Sequence, residues 1–181
     1  LLLPPVDSLA GRVQIVEFGL PLAERPVAVA RLSGEDVSDL YPWPRQADHK
    51  YTRGVVGVWA GSEAYTGAAE LACRGALAVG PGMVRYRGGA PAVRERLPEV
   101  VTADGRIQAA LIGSGMEDGG EARATLDEAL ARGVPLVVDA GALSPLADVL
   151  PQRADPAPCV ITPHAGELAR LMGIGRKDVE A

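Results

Sequence analysis

The sequence predicts an α/β fold built on a mostly parallel sheet with helices on both faces. Short, strongly apolar runs recur along the chain: GVVGVWA at 54–60, QAALIG at 108–113, PLVVDA at 135–140 and CVIT at 159–162. Stretches with helical spacing of apolar residues stand between them, and strands this apolar in alternation with amphipathic helices are buried on both faces. Each run also hands over to small or polar residues: Ala60-Gly61-Ser62, Gly113-Ser114-Gly115, Asp139-Ala140-Gly141 and Thr162-Pro163-His164. Such junctions fall at the carboxyl edge of an open α/β sheet, where ligands bind.

Residues 1–46 differ from the rest of the chain. GRVQIVEFGLPLAERPVAVARL holds short β-like runs broken by proline, and YPWPRQAD reads as a loop or linker, which sets a boundary near residues 41–50. A strand at 54–60 then leads into a helix over 66–79. Short strands at 83–86 and 99–103 flank a small helix near 91–97, and a strand follows at 108–113. EARATLDEALAR (121–132) is a helix with Ala122, Leu126, Ala129 and Leu130 on one face; Asp118 and Glu121 fit its N-terminal cap and Gly133 its C-terminal stop. A strand at 135–140, a helix over SPLADVL (144–150) and a strand at 159–162 complete the pattern. Pro163 suits the first position of the next helix, which places His164 in that helix's first turn.

Composition narrows the functional classes. The 181 residues suit one domain of ordinary size, 48% hydrophobic and 23% charged, which is the balance of a folded chain. No apolar run approaches the roughly 18 residues of a membrane span. LLLPPVDSLAG lacks the basic flank and long apolar core of a signal peptide. The missing initiator Met suggests that the chain begins inside a longer one. The net charge of −5, with no Lys/Arg cluster, argues against nucleic acid and anionic membrane as partners. Cys73 and Cys159 form no C-x-x-C and read as small buried residues in a reducing cytoplasm.

The junctions carry the candidate chemistry. In VWAGSEAYTGAAELACRGALAVG (58–80), Gly67, Ala68 and Ala69 leave N–H groups at a helix start unobstructed by side chains, as an anion or a planar ring requires. The alternative is packing, with Gly67, Ala68, Ala72 and Ala76 forming a slim face against the sheet. LIGSGMEDGG approaches a dinucleotide fingerprint, with Gly113-x-Gly115 after a strand and Asp139 ending the next one, but Asp118 occupies the third glycine's place. No P-loop occurs. His49 and His164 lack metal-ligand spacing, so no metal site is expected within the chain. Asp139 and Glu167 could pair as acid and base, or Asp139 could cap the helix after it. His164 could bind a ligand or serve as a cap.

HKYTRGVVGVWAGSEAYTGAAELACRGALAVGPGMVRY, GSGM, PLVVDAGAL and CVITPHAGELARLMG together resemble the ADP/ATP-dependent NAD(P)H-hydrate dehydratases. In that family these read HK-x-x-x-G, AGS-x-x-Y-x-GAA, GPGL, DADAL or DAGAL, and LTPH-x-GE-x-RL. The match covers residues 49–172. Residues 1–46 look like the tail of the NAD(P)H-hydrate epimerase domain that precedes the dehydratase in the bifunctional repair enzyme. Residues 47–181 are then the N-terminal part of the dehydratase domain.

The resemblance implies a three-layer ribokinase-like fold, truncated at its C-terminus, and the repair of hydrated NADH and NADPH. ADP or ATP, with Mg²⁺, phosphorylates the ring hydroxyl, phosphate leaves, and the dihydronicotinamide is restored. Carried over by motif, Gly67, Ala68, Gly113, Gly115 and His164 line the hydrate site, with Asp139 beside them at a strand end. The family's catalytic Asp, in a later G-x-G-D motif, is expected beyond residue 181, so this chain alone is expected to be inactive. Ser114 stands where the motif has proline, and Glu117 where a further glycine is common. A cytoplasmic homo-oligomer is expected. The rival readings are a ribokinase-like small-molecule kinase, a Rossmann oxidoreductase and a non-catalytic dinucleotide-binding domain.

Overall fold

The computed structural model of the chain describes residues 9–14, 16, 18–19, 32–41, 43–149 and 157–180. It divides into two units, 1–43 and 44–181. Most of the β-like runs expected between residues 11 and 32 lie outside the described residues, as does Leu150 at the end of the expected helix 144–150.

Among the described residues of the first unit is a helix that the sequence pattern did not predict, α1 (Gly34–Leu40). Ser33 caps it: its hydroxyl accepts from the Asp36 N–H at 3.1 Å, and the Asp36 carboxylate accepts the Ser33 N–H at 2.7 Å. This reciprocal pair satisfies two donors that a helix start leaves open, so Ser33-x-x-Asp36 was a readable signal.

The second unit alternates strand and helix. Its elements are β1 (Val55–Trp59), α2 (Thr66–Ala78), β2 (Met83–Tyr86), α3 (Pro91–Arg96), β3 (Ala109–Ile112), α4 (Gly120–Ala131) and β4 (Leu136–Val138). A 3₁₀ turn (Ala140–Ala142) then leads into α5 (Leu143–Val149), followed by β5 (Cys159–Ile161), α6 (Ala165–Met172) and α7 (Arg176–Glu180). All four strand pairings are parallel, in the order β2-β1-β3-β4-β5.

Strand alternation divides the core in two. Val55, Trp59, Ala110, Ile112, Leu136 and Val138 pack with Leu126, Ala129 and Leu130 of α4 and Leu143 and Leu146 of α5. Val58, Val84 and Tyr86 pack with Ala69 and Cys73 of α2 and Val93 of α3 on the other face. That second layer stops short: Val137 and Val160, paired in register, are both exposed. Helices thus stand on both faces of the sheet; among the described residues the second layer covers β2, β1 and β3.

Three local expectations are corrected. EVVTA (99–103) is no strand; it makes a single parallel bridge, Arg85 to Val101, before Gly105 folds the backbone over the Arg85 guanidinium. Asp118 and Glu121 do not cap α4. The cap position is Gly119, at φ +146°, a backbone conformation that glycine alone takes readily, and it makes no side-chain cap bond. Pro163 is not the first helical residue, because α6 starts at Ala165 with His164 as its N-cap. Gly133 does end α4 in the left-handed conformation (φ +64°).

A charge cluster ties the β2 end to α4 on the open side of the sheet edge. Arg87 and Arg132 each pair with both Asp104 and Glu128, at 3.1–3.6 Å. The Gly105 N–H holds the Asp104 carboxyl below its ordinary range, helped by Arg132. Burial opposes ionisation of Glu128, yet hydrogen bonds from Arg87, Trp59 and Arg132 together hold it below its ordinary range as well.

Candidate functional site

The strand order reverses direction between β1 and β3, since β1 is followed outward by β2 on one side and by β3 on the other. Crevices at the carboxyl ends of strands beside such a switch point are where open α/β sheets bind ligands. Here the turns after β1 and β3 meet directly, with the Gly61 N–H donating to the Ser114 carbonyl at 2.7 Å. A cleft of about 420 Å³ opens beside them, lined by Gly61, Ser62, Thr66, Gly89 and Pro91 with Glu63 and Glu121.

Close backbone approach explains the small residues around this switch. A Cβ on Gly115 (φ +72°) would lie 2.3 Å from the Ala68 Cβ, so the turn after β3 rests against the start of α2. A Cβ on Gly113 (φ +109°) would lie 1.8 Å from the Asp139 carbonyl oxygen, so β3 and β4 end in backbone contact. Gly67 differs, being exposed with nothing within 4 Å of where its Cβ would stand. The face of α2 that packs is Ala69 and Cys73, supported by Ala72, Ala76 and Leu77. The two readings of this stretch thus separate by residue: Ala69 is packing, and Gly67 is open backbone. Tyr65 caps α2 without a side-chain bond, while the Ala68 N–H is taken by the Tyr65 carbonyl at 3.1 Å.

Asp139 occupies the cap position of the 3₁₀ turn but makes no side-chain cap bond, which removes the capping alternative. Its carboxylate faces sideways instead. Oδ2 accepts from the Ser114 hydroxyl at 2.8 Å and Oδ1 from the Thr162 hydroxyl at 2.9 Å. Glu167 is engaged elsewhere: it accepts the His164 N–H at 2.8 Å. The expected acid/base pairing of Asp139 with Glu167 is therefore not formed.

His164 is a cap. Its Nδ1 accepts from the Gly166 N–H at 3.0 Å and the Glu167 N–H at 3.2 Å, completing a capping box with Glu167. Nε2 lies 3.4 Å from Glu167 Oε1, and the imidazole remains 69% exposed while the Glu167 side chain is 12% exposed. A ring that accepts at Nδ1 carries its proton, when neutral, on Nε2. Capping thus uses Nδ1, and the Nε2 beside Glu167 belongs to the same exposed ring.

Gly67, Ala68 and Gly115 gather at the switch point, and Gly113 and Asp139 meet one strand further on. Thr162 connects Asp139 to the turn that carries His164. Sequence reasoning missed the parts played by Ser114, Thr162 and Gly61; a hydroxyl or a glycine at a strand end was the available signal. His49 belongs to the opposite edge. It caps a turn through Nδ1, the next residue's carbonyl (Lys50) rests against Gly82 ahead of β2, and Gln108 Nε2 donates to the Tyr51 carbonyl ahead of β3.

The sequence profile of NAD(P)H-hydrate dehydratase matches residues 56–180. The chain belongs to the NAD(P)H-hydrate dehydratase family. It is 45% identical over 180 residues to the bifunctional NAD(P)H-hydrate repair enzyme Nnr of Mycobacterium tuberculosis, covering 94% of this chain and 38% of that protein. The enzyme of the same name from Mycobacterium leprae is 43% identical with the same coverage. The chain thus spans about 38% of the length of these relatives. Among solved structures it is similar to the ADP/ATP-dependent NAD(P)H-hydrate dehydratase from Bacillus subtilis co-crystallized with ATP/Mg²⁺. The TM-score is 0.68 at 27% identity, over 81% of this chain and 57% of that one. A ribokinase-like superfamily protein from Enterococcus faecalis gives 0.70 at 21% identity over the same shares, a likeness of fold. The family's fold is the ribokinase-like α/β architecture seen here.

Proposed function

We propose that the carboxyl edge of this sheet binds hydrated NADH or NADPH and serves its ADP/ATP-dependent dehydration. The observation that carries the reading is the joining of four strand ends into one surface: Gly61 to Ser114, Ser114 to Asp139, and Asp139 to Thr162, with open backbone at Gly67 at one end and the exposed His164 imidazole at the other. A dinucleotide is long and planar at both ends, and it needs a surface of bare backbone with a few directed donors. Gly67 would admit its pyrophosphate to the start of α2, Gly115 and Ala68 would lie flat beneath it, and His164 Nε2 would donate to it.

The reaction adds a phosphoryl group from the nucleotide to the ring hydroxyl. The C–O bond then breaks with loss of phosphate and a ring proton, restoring the dihydronicotinamide double bond. Nucleotide and Mg²⁺ are not assigned to these residues. No group of three or more His, Cys, Asp or Glu among the described residues could hold a metal ion. Lys50 lies over the Tyr51 ring near the amino edge, and Lys177 lies in α7. In this reading the part of the residues named above is to bind and orient the hydrate.

The reading includes a cytoplasmic setting, in keeping with the unpaired Cys73 and Cys159, and a homo-oligomeric assembly. Among the described residues no helix is long and apolar enough to cross a membrane. The test is a titration of the isotope-labelled protein, as encoded, with hydrated NADH. Saturable shifts at the Gly67, Gly115 and His164 amides are expected. Absence of saturation, or shifts confined to the amino edge around Gly82 and Gln108, would overturn the proposal.

A further inference from the structure

The carboxylate of Asp139 has both oxygens occupied by hydroxyl donors that come from different turns. Ser114 follows β3 and Thr162 follows β5, while Asp139 ends the strand between them. The two bonds form a lateral link that is part-buried at Ser114 and exposed at Thr162, whose hydroxyl also lies 3.4 Å from the Val138 carbonyl. It continues through the Gly61–Ser114 backbone bond to the turn after β1. Thr162 is two residues from His164, and Ser114 is next to Gly115. A proline at position 114, as in the motif this segment resembles, has no hydroxyl to donate. The serine therefore adds a connection.

We propose that Ser114 and Thr162 are positioning residues that act through Asp139, holding the turns of Gly115 and His164 in one register for the dinucleotide. This rests on the dinucleotide reading of the carboxyl edge. Asp139 is then the joint between two turns, each of its oxygens accepting one hydroxyl. The two donors share one acceptor group, so their removal is not independent.

The test has one arm without ligand and one with it, both on the protein as encoded. In the first, amide hydrogen exchange is followed in Ser114→Ala, Thr162→Val and Thr162→Ser. Ser114→Ala is expected to speed exchange across residues 163–168, beyond β4, and Thr162→Val to speed it at 114–116. Thr162→Ser keeps the hydroxyl and should leave both turns protected. Each variant disturbing only its own turn would overturn the proposal. In the second arm, hydrated NADH is titrated into the same variants and the Ser114→Ala/Thr162→Val double variant. Each single change should weaken binding by about tenfold, and the double variant should bind no worse than the weaker single. Fully additive losses, or unchanged affinity, would overturn it. If the unaltered protein does not bind hydrated NADH, the dinucleotide reading fails, and the exchange arm still decides whether the link couples the two turns.

Discussion

The ring of His164 holds the start of α6 through Nδ1, and its Nε2, 3.4 Å from Glu167 Oε1, sits on a largely exposed ring. Ligand contact and capping are two roles that one imidazole can fill, because it has two nitrogens. Substitution can separate them. Asparagine is a preferred N-cap residue, so His164→Asn should keep the melting temperature within a few degrees while removing the Nε2 N–H. Hydrate binding should then weaken several-fold, in line with roughly 0.5–1.5 kcal/mol for one hydrogen bond. His164→Ala removes both functions, and should melt earlier by an amount matching about 0.5–2 kcal/mol for a lost cap. Thermal melts and hydrate titrations on the two variants check this. An Asn variant that binds as tightly as the parent would take His164 out of the site and leave it a cap.

At the level of the element, α2 carries glycine at its second position for a reason that packing does not supply, since a Cβ at Gly67 would meet nothing within 4 Å. Alanine is favoured over glycine in a helix by up to about 1 kcal/mol. Gly67→Ala should therefore hold or raise the melting temperature while lowering affinity for hydrated NADH, because the added methyl stands where the ligand would lie. A more stable protein with unchanged affinity would show that the open backbone is unused. Strands and helices were legible here because their periodicities come from burial: Ala122, Leu126, Ala129 and Leu130 face the core as spaced. Helix starts were less legible, because several nearby residues can cap and the backbone chooses among them. Gly119 displaced Asp118, and His164 with Glu167 displaced Pro163. Within the site, the small residues stood out in the sequence. The Ser114–Asp139–Thr162 link did not, because it joins residues 23 and 25 positions apart through strand order alone.

For the whole molecule, alternation of apolar strands with helices identifies the class, yet it says nothing about how far each helical layer reaches. α2 and α3 pack over β2, β1 and β3, and among the described residues no helix covers the same face of β4 and β5. Val160, 61% exposed, stands beside Val137 there, on the strand that ends the described sheet order. A strand at the end of a sheet offers unpaired N–H and C=O groups, and apolar side chains on its face make it a template for other chains. Natural edges are often protected by lysine, whose ammonium is hard to bury against a second copy. Val160→Lys should therefore reduce concentration-dependent association, read by sedimentation velocity across a dilution series. The melting temperature should change little, since Val160 contributes little to either core cluster. It should also leave hydrate affinity intact, because the substitution lies on a face of the sheet and the proposed site lies at its carboxyl edge. If association persists in Val160→Lys, another surface joins the copies, and this face of β4 and β5 is not where they meet.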